Sequence, residues 1–234
     1  MLTHRFKERF PRKHVVLPVI HAECESQAIT NVEIAREAGA DGVFLINHSM
    51  PWQDLLEVYW AVRERFDDWW IGVNCLGLQS EKVFRELPAH VNGAWVDNAK
   101  IDERATIQPT ADRINAARLK SKWPGLYFGG VAFKYQRSVD DLKAAATIAM
   151  NYMDVVTTSG PGTGEAASVQ KIRTMKAAMG EFPLAIASGI TPENIGEYLG
   201  LADCYLVATG ISKSFTELDP LRTRALVDRV LSHP

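Results

Sequence analysis

Short apolar runs rich in valine, isoleucine and aromatic residues alternate with longer amphipathic stretches along the whole chain. That alternation predicts a strand followed by a helix, many times repeated. The apolar runs are Val15–Ile20, Gly42–Ile46, Trp70–Val73, Ala94–Val96, Leu126–Phe133, Met153–Val156, Phe182–Ala187 and Cys204–Ala208. Helical stretches follow them. The first is Gln27–Ala38, and the second places Leu55, Tyr59, Val62 and Phe66 on one face. Glu81–Leu87, Asp112–Lys122, a segment opened by Ser138-Val139-Asp140-Asp141 and Ala166–Met179 come next. Thr191-Pro192 and Asp219-Pro220 open the last two, with proline where a missing N–H does no harm. Eight such units imply parallel strands with right-handed crossovers, and they fit a closed (β/α)8 TIM barrel, a single domain over residues 14–234 after an N-terminal extension at 1–13. A doubly wound open sheet is the alternative if the third or fourth run is coil. Pro18 is a misfit, because a proline between two neighbouring strands forfeits a ladder hydrogen bond.

In such a barrel the residues just after each strand share one rim, where the fold binds ligands and does chemistry. Those positions are His21 and Glu23, Asn47 and His48, Asn74 and Cys75, Asp97 and Asn98, Lys134 and Tyr135, Ser159 to Gly164, Ser188 and Gly189, and Thr209 to Ser212. All carry hydrogen-bonding or titratable groups after nearly apolar runs, although turn residues are polar in any protein. The turns Ser188-Gly189-Ile190-Thr191 and Thr209-Gly210-Ile211-Ser212 follow the last two strands. Loops at these two places often bind phosphate, since glycine lets backbone N–H groups approach the oxygens. Lys213 adds a positive charge beside them. The cluster Ser159-Gly160-Pro161-Gly162-Thr163-Gly164 lacks the spacing of a dinucleotide fingerprint. It reads as a loop over the ligand that donates backbone or hydroxyl hydrogen bonds.

Asp97, Lys134, His21, Glu23 and His48 are the candidates for proton transfer. Asp97 leads, since a carboxylate directly after Trp95-Val96 is expected to be partly desolvated. Lys134 fits an electrophile, a phosphate partner or a Schiff-base amine, and the sequence does not choose. Without a helical HxxxH spacing or an acidic cluster, no metal site and no cofactor is expected, a divalent ion being the one addition weighed. Cys75 reads as a small buried residue rather than a nucleophile.

Composition narrows the partners. With 26 Lys+Arg against 28 Asp+Glu, no chain-wide positive field exists to hold a nucleic-acid backbone or an anionic membrane, which favours a small-molecule ligand. Cys24, Cys75 and Cys204 lack any paired spacing and suit three free thiols in a reducing cytoplasm. No run approaches the ~20 apolar residues of a membrane span. The N-terminus lacks the apolar core of a leader. A cytoplasmic location is expected. Trp52, Trp60, Trp69, Trp70, Trp95 and Trp123 read as helix packing against the barrel, with a homo-oligomer interface as a further use.

The C-terminal half resembles the BtpA family. The residues that carry the likeness are Met153-Asp154-Val155-Val156 running into Ser159-Gly160 and Thr163-Gly164, then Ala187 through Asn194, Ala202-Asp203, and Val207 through Lys213. His21, Glu37 through Gly42, Gly72-Val73-Asn74 and Lys134 agree with it. The segment Ser188–Asn194 also recurs in other ribulose-phosphate-binding barrels. The resemblance implies a barrel akin to the phosphoribosyl-sugar enzymes but not a reaction, because its members range from a photosystem I biogenesis factor to nucleosidase-like and sugar-metabolism proteins. Family members usually carry a proline-rich loop after the first strand and an Asn-bearing acidic motif after the second. Here stand Ala22-Glu23-Cys24-Glu25 and Asn47-His48-Ser49, which implies a different substrate.

Two functions are therefore expected. One is an enzyme acting on a phosphorylated sugar or nucleotide. Ser188, Gly189, Thr209, Gly210 and Ser212 would hold the phosphate with help from Ser159, Gly160, Thr163 and Gly164. Asp97, Asn74, His21 and Lys134, with Glu23, Asn47 and His48 nearby, would face the sugar or base. Its chemistry would be acid–base, either cleavage or transfer at a glycosidic carbon or isomerisation. The other is a non-catalytic barrel that senses a metabolite or assists assembly of a complex.

Overall fold

Each apolar run is too hydrophobic to face water on either side, so it becomes a strand buried between neighbours. In the computed structural model, which describes residues 3–233, these are β1 (Val15–Ala22), β2 (Val43–Asn47), β3 (Ile71–Asn74), β4 (Gly93–Val96), β5 (Leu126–Gly130), β6 (Val155–Ser159), β7 (Leu184–Ala187) and β8 (Cys204–Val207). They pair in parallel in chain order and close into a barrel as β1 meets β8. The (β/α)8 expectation holds. Pro18 finds its place because pairing of β1 with β2 begins only at Val19 opposite Phe44, while Pro18 itself stands opposite Val207 of β8. Val16, two residues earlier and so facing the same side, sends its N–H to the Asp41 carboxylate on the β2 side. The N–H that proline lacks would thus point to a place where the ladder has not started.

The helices are α1 (Thr3–Arg9), α2 (Glu25–Glu37), α3 (Trp52–Arg65), α4 (Ser80–Glu86), α5 (Pro109–Ser121), α6 (Leu142–Ala149), α7 (Val169–Met179) and α8 (Pro220–Leu231). Side-chain caps start three of them: Asp141 accepts from Lys143 and Ala144, Ser168 from Lys171, and Asp219 from Leu221 and Arg222. The helix expected after Thr191-Pro192 shrinks to a single 3₁₀ turn, Ile195–Glu197. Thr191 and Asn194 spend their side chains on local backbone groups there, Asn194 donating to Gly189 O and accepting from Thr191 N–H. The fifth run also ends early, at Gly130, because Ala132 takes a left-handed φ of 49° and turns the chain away.

Inward and outward side chains form two clusters. Leu17, Val19, Phe44, Ile46, Trp70, Trp95, Phe128 and Leu206 fill the barrel, and the outward-facing set packs beneath the helices. Trp70 and Trp95 therefore lie inside the barrel rather than under the helices, which corrects the sequence expectation for these two. Glycines make room for them. A Cβ at Gly72 would come within 2.4 Å of the Phe44 ring, and one at Gly93 within 2.4 Å of Trp70. Helix α1 seals the N-terminal end of the barrel, with Phe6 against Phe128 at 6.3 Å and Phe10 against Trp70 at 5.4 Å between ring centroids. The fully buried Asp154 fastens that end. Its carboxylate accepts from Arg5 at 2.9 Å, from Tyr127 N–H at 2.7 Å and from Arg118. Among the described residues no helix is long and apolar enough to cross a membrane. The three cysteines are free.

Candidate active site at the barrel mouth

Above the aromatic layer a cavity of about 460 Å³ opens at the C-terminal ends of the strands. Val19, Ile46, Trp95 and Leu206 form its floor, and His21, His48, Asp97, Lys134, Thr163 and Ser188 line it higher up. An apolar floor under a few convergent polar groups is the usual design of a small-molecule site.

Asp97 stands one residue beyond β4, where its carboxylate accepts a hydrogen bond from Asn74 Nδ2 at 2.9 Å. Burial raises its pKa, and the Asn74 bond and the charges of Lys134 and His48 hold the rise back. A proton-transfer group needs such a balance at neutral pH. Its backbone is fixed as well. Gln136 Nε2 donates to Asp97 O at 2.6 Å, and β5 passes so close that a Cβ on Gly130 would lie 1.9 Å from that oxygen.

Lys134 reaches toward the loops after β6 and β7, where its Nζ donates to Thr163 Oγ1 and Ser188 Oγ, each at 3.2 Å. Ser159 supports it from below, accepting the Lys134 N–H at 2.7 Å and donating to Gly160 O at 2.8 Å. Tyr135 OH lies 3.1 Å from Thr163 Oγ1.

On the opposite wall His21, buried at the end of β1, packs its ring 4.6 Å from His48 and 4.2 Å from Phe215. Burial, followed by the neighbouring His48, pushes its pKa down to about 4, so it is neutral at pH 7. Burial and Lys134 also hold His48 below its ordinary value. A histidine with a depressed folded pKa adds no penalty above its ordinary value of 6.5, and becomes a growing penalty as pH falls from there to about 4. Wild-type protein is therefore expected to lose about 3 kcal/mol relative to His21→Gln between pH 7 and pH 4. Paired urea titrations across that window check it, and a constant difference would remove His21 as the titrating group.

The glycine turns bring three loops together backbone to backbone. Gly189 has φ 72°, and a Cβ there would lie 2.1 Å from Ala166 N; one on Gly210 would lie 1.9 Å from Ile190 O. Gly160 is equally tight against Glu165 O, and Gly164 sits next to Thr209. Ser212 donates its hydroxyl to Ala208 O at 2.9 Å and so shapes the turn. Lys213 pairs with Glu217 at 3.1 Å, and Arg222 binds Gly210 O and Glu193.

Of the remaining rim residues, Asn47 is a brace. It donates to Met50 O and Leu76 O and accepts from Leu76 N–H. Glu23 is exposed and lies outside the cavity. Cys75 is buried, and burial pushes its thiol up to about 12, too high for a nucleophile at neutral pH. Among the described residues no group of three or more His, Cys, Asp or Glu side chains is placed to hold a metal ion. Sequence reasoning missed Phe215, Leu76 and Trp95 as cavity residues, and Gln136 and Lys171 as supports. Phe215 left one signal, an isolated aromatic in the polar run after the last strand.

The BtpA family model matches residues 131–232, so the family resemblance holds over the C-terminal part of the chain. No curated protein matches. Many solved structures share the fold, three of them as follows. (S)-3-O-geranylgeranylglyceryl phosphate synthase from Thermoplasma acidophilum, in complex with sn-glycerol-1-phosphate, is 14% identical over 97% of each chain with a TM-score of 0.70. Tryptophan synthase subunit alpha from Legionella pneumophila is 13% identical, covering 98% of this chain and 96% of its own, with a TM-score of 0.67. Phosphoribosyl anthranilate isomerase from Thermus thermophilus is 17% identical over 93% and 98%, with a TM-score of 0.65. At these identities the likeness establishes the barrel alone.

Proposed function

We propose that this barrel is an enzyme acting on a small phosphorylated ligand by acid–base chemistry, with Asp97 as the proton-transfer group and the ligand's anion held between Lys134 and the glycine turns. One observation carries the reading: the Lys134 ammonium is aimed at the hydroxyls of Thr163 and Ser188, beside the tight turn at Gly189, while the raised-pKa carboxyl of Asp97 lines the same cavity. Lys134 then serves as phosphate partner. A lysine already seated among hydroxyls on the phosphate side of the rim provides a point charge where an oxyanion would replace those weak contacts. Lys213 and Arg222 spend their charge on Glu217 and Glu193, which leaves Lys134 as the cation among the cavity-lining residues. The ligand that the geranylgeranylglyceryl phosphate synthase barrel holds is itself a small phosphate ester, which supports the same ligand class here.

The reading is tested by calorimetric titration with inorganic phosphate and ribose 5-phosphate. Both are expected to bind, and Lys134→Met to weaken each by about tenfold or more, as loss of a charged hydrogen bond implies. If neither binds, or if Lys134→Met binds as well as wild type, the anion site is elsewhere. Binding without turnover across a panel of sugar phosphates and nucleotides would favour the sensing reading over the enzymatic one.

A further inference from the structure

Residues 131–136 carry Lys134 from β5 to the cavity, and the backbone there is strained. Ala132 and Tyr135, neither of them glycine, have φ of 49° and 61°. Such conformations persist only where the surroundings over-determine them. Buried Val131 and Phe133, the Val131 N–H on Thr157 O and the Gln136–Phe133 turn bonds anchor the segment, and side chains from outside it add to them. Gln136 Nε2 donates to Asp97 O and, at 3.3 Å, to Gly130 O. Thr158 Oγ1 donates to Ala132 O at 3.1 Å. The strongest tie comes from α7, where Lys171 Nζ donates to Ala132 O at 2.5 Å and to Ser159 O at 2.6 Å. Ser159 is the residue whose hydroxyl accepts the Lys134 N–H.

We propose that Lys171 is a positioning residue: its ammonium clamps the carbonyls of Ala132 and Ser159 together and so holds the strained turn that presents Lys134 to the cavity. The clamp gives the Lys134 role proposed above its structural support, yet it can stand or fall independently of the ligand. An ammonium is suited to the task because it can donate to two carbonyls at once, each bond charge-assisted. Without it Ala132 O would keep only the Thr158 hydroxyl, and Ser159 O would lose its ammonium donor. Among the described residues no carboxylate pairs with Lys171. The titratable and charged groups sharing its side of the cavity behind the turn are Lys134, Tyr135 and Arg137; Tyr135 OH meets Thr163 Oγ1, and Arg137 is held by Glu103 and Asp102. Burial accordingly lowers the Lys171 pKa to about 8, so the clamp should loosen when the amine loses its proton above that value.

The experiment uses the full chain and needs no substrate. Hydrogen exchange of the peptide spanning 131–137, and the rate at which trinitrobenzenesulfonate labels Lys134, are followed by mass spectrometry from pH 7 to 9.5 in wild type, Lys171→Met and Lys171→Arg. In wild type, exchange corrected for intrinsic rates is expected to be slow at pH 7 and to accelerate about tenfold through pH 8. Lys171→Met should be fast throughout, with peptides from β1 to β4 unchanged, and Lys134 labelling altered. Lys171→Arg should restore protection and keep it to pH 9.5, because a guanidinium does not titrate there. Should Lys171→Met fail to fold, the contrast between wild type and Lys171→Arg still decides. A wild-type profile with no step near pH 8, a 131–137 peptide indifferent to Lys171→Met, or loss of protection spread evenly over the barrel would each overturn the proposal.

Discussion

Asp97→Asn is expected to lower turnover by about 10²–10⁴-fold, the usual contribution of a positioned proton-transfer group, while raising or preserving the melting temperature. The two effects share one cause. Burial makes the ionised carboxyl costly and raises its pKa, so at neutral pH the folded protein carries a penalty that fades as pH falls and Asp97 takes up a proton. Asparagine keeps an oxygen to accept from Asn74 Nδ2 but carries no charge to desolvate. Phosphate binding should change little, because the proposed anion contacts lie with Lys134 and the β6–β8 turns. Steady-state kinetics on whichever phosphorylated substrate is turned over, with thermal melts of the same preparations, check both halves. Undiminished turnover would remove Asp97 from the mechanism, and a lower melting temperature would show that its charge stabilises the mouth rather than straining it.

Asp154→Ala is expected to produce the largest loss of stability of any single change considered. The carboxylate is wholly buried between Arg118, itself 8% exposed, and Arg5, and it also takes the Tyr127 N–H. Removing it leaves a buried guanidinium and a backbone donor without their partner, which costs about 3–5 kcal/mol. At this chain length that corresponds to a fall of roughly 10–15 °C in melting temperature. Asp154 sits at the sealed end of the barrel, so phosphate affinity measured well below the melt should be unaffected. A drop of only a degree or two would mean that the ion triad is worth no more than a surface pair.

The barrel was legible because its signal is repeated eight times. Each apolar run is short, bounded by polar or glycine turns and followed by a helical stretch, so errors of a few residues at the ends did not alter the count. Local departures went unseen for local reasons. Nothing in Leu126–Phe133 announces that Ala132 turns left-handed and ends β5 at Gly130. Thr191-Pro192 carries a sound helix-start signal that Asn194 then diverts into side-chain bonds. At the rim, chain order indicated which residues share the C-terminal end but not which way they point. Asp97, Lys134, His21, His48, Thr163, Ser188 and Thr209 meet around the cavity, whereas Asn47 and Ser212 turn their polar groups into the loops they belong to. Lys171 was invisible for another reason: on a helix, a lysine that will bury its head against two carbonyls has the same neighbours in sequence as one that will reach into water.

Ring closure has a cost during synthesis. The partner that completes β1 is β8, some 190 positions downstream at Cys204 opposite Val15. A nascent chain therefore spends most of its time on the ribosome with one unpaired strand at each margin of a growing, curved sheet. Such margins invite pairing with foreign chains. Native order should come late and all at once, as contacts between distant parts of a sequence form slowly.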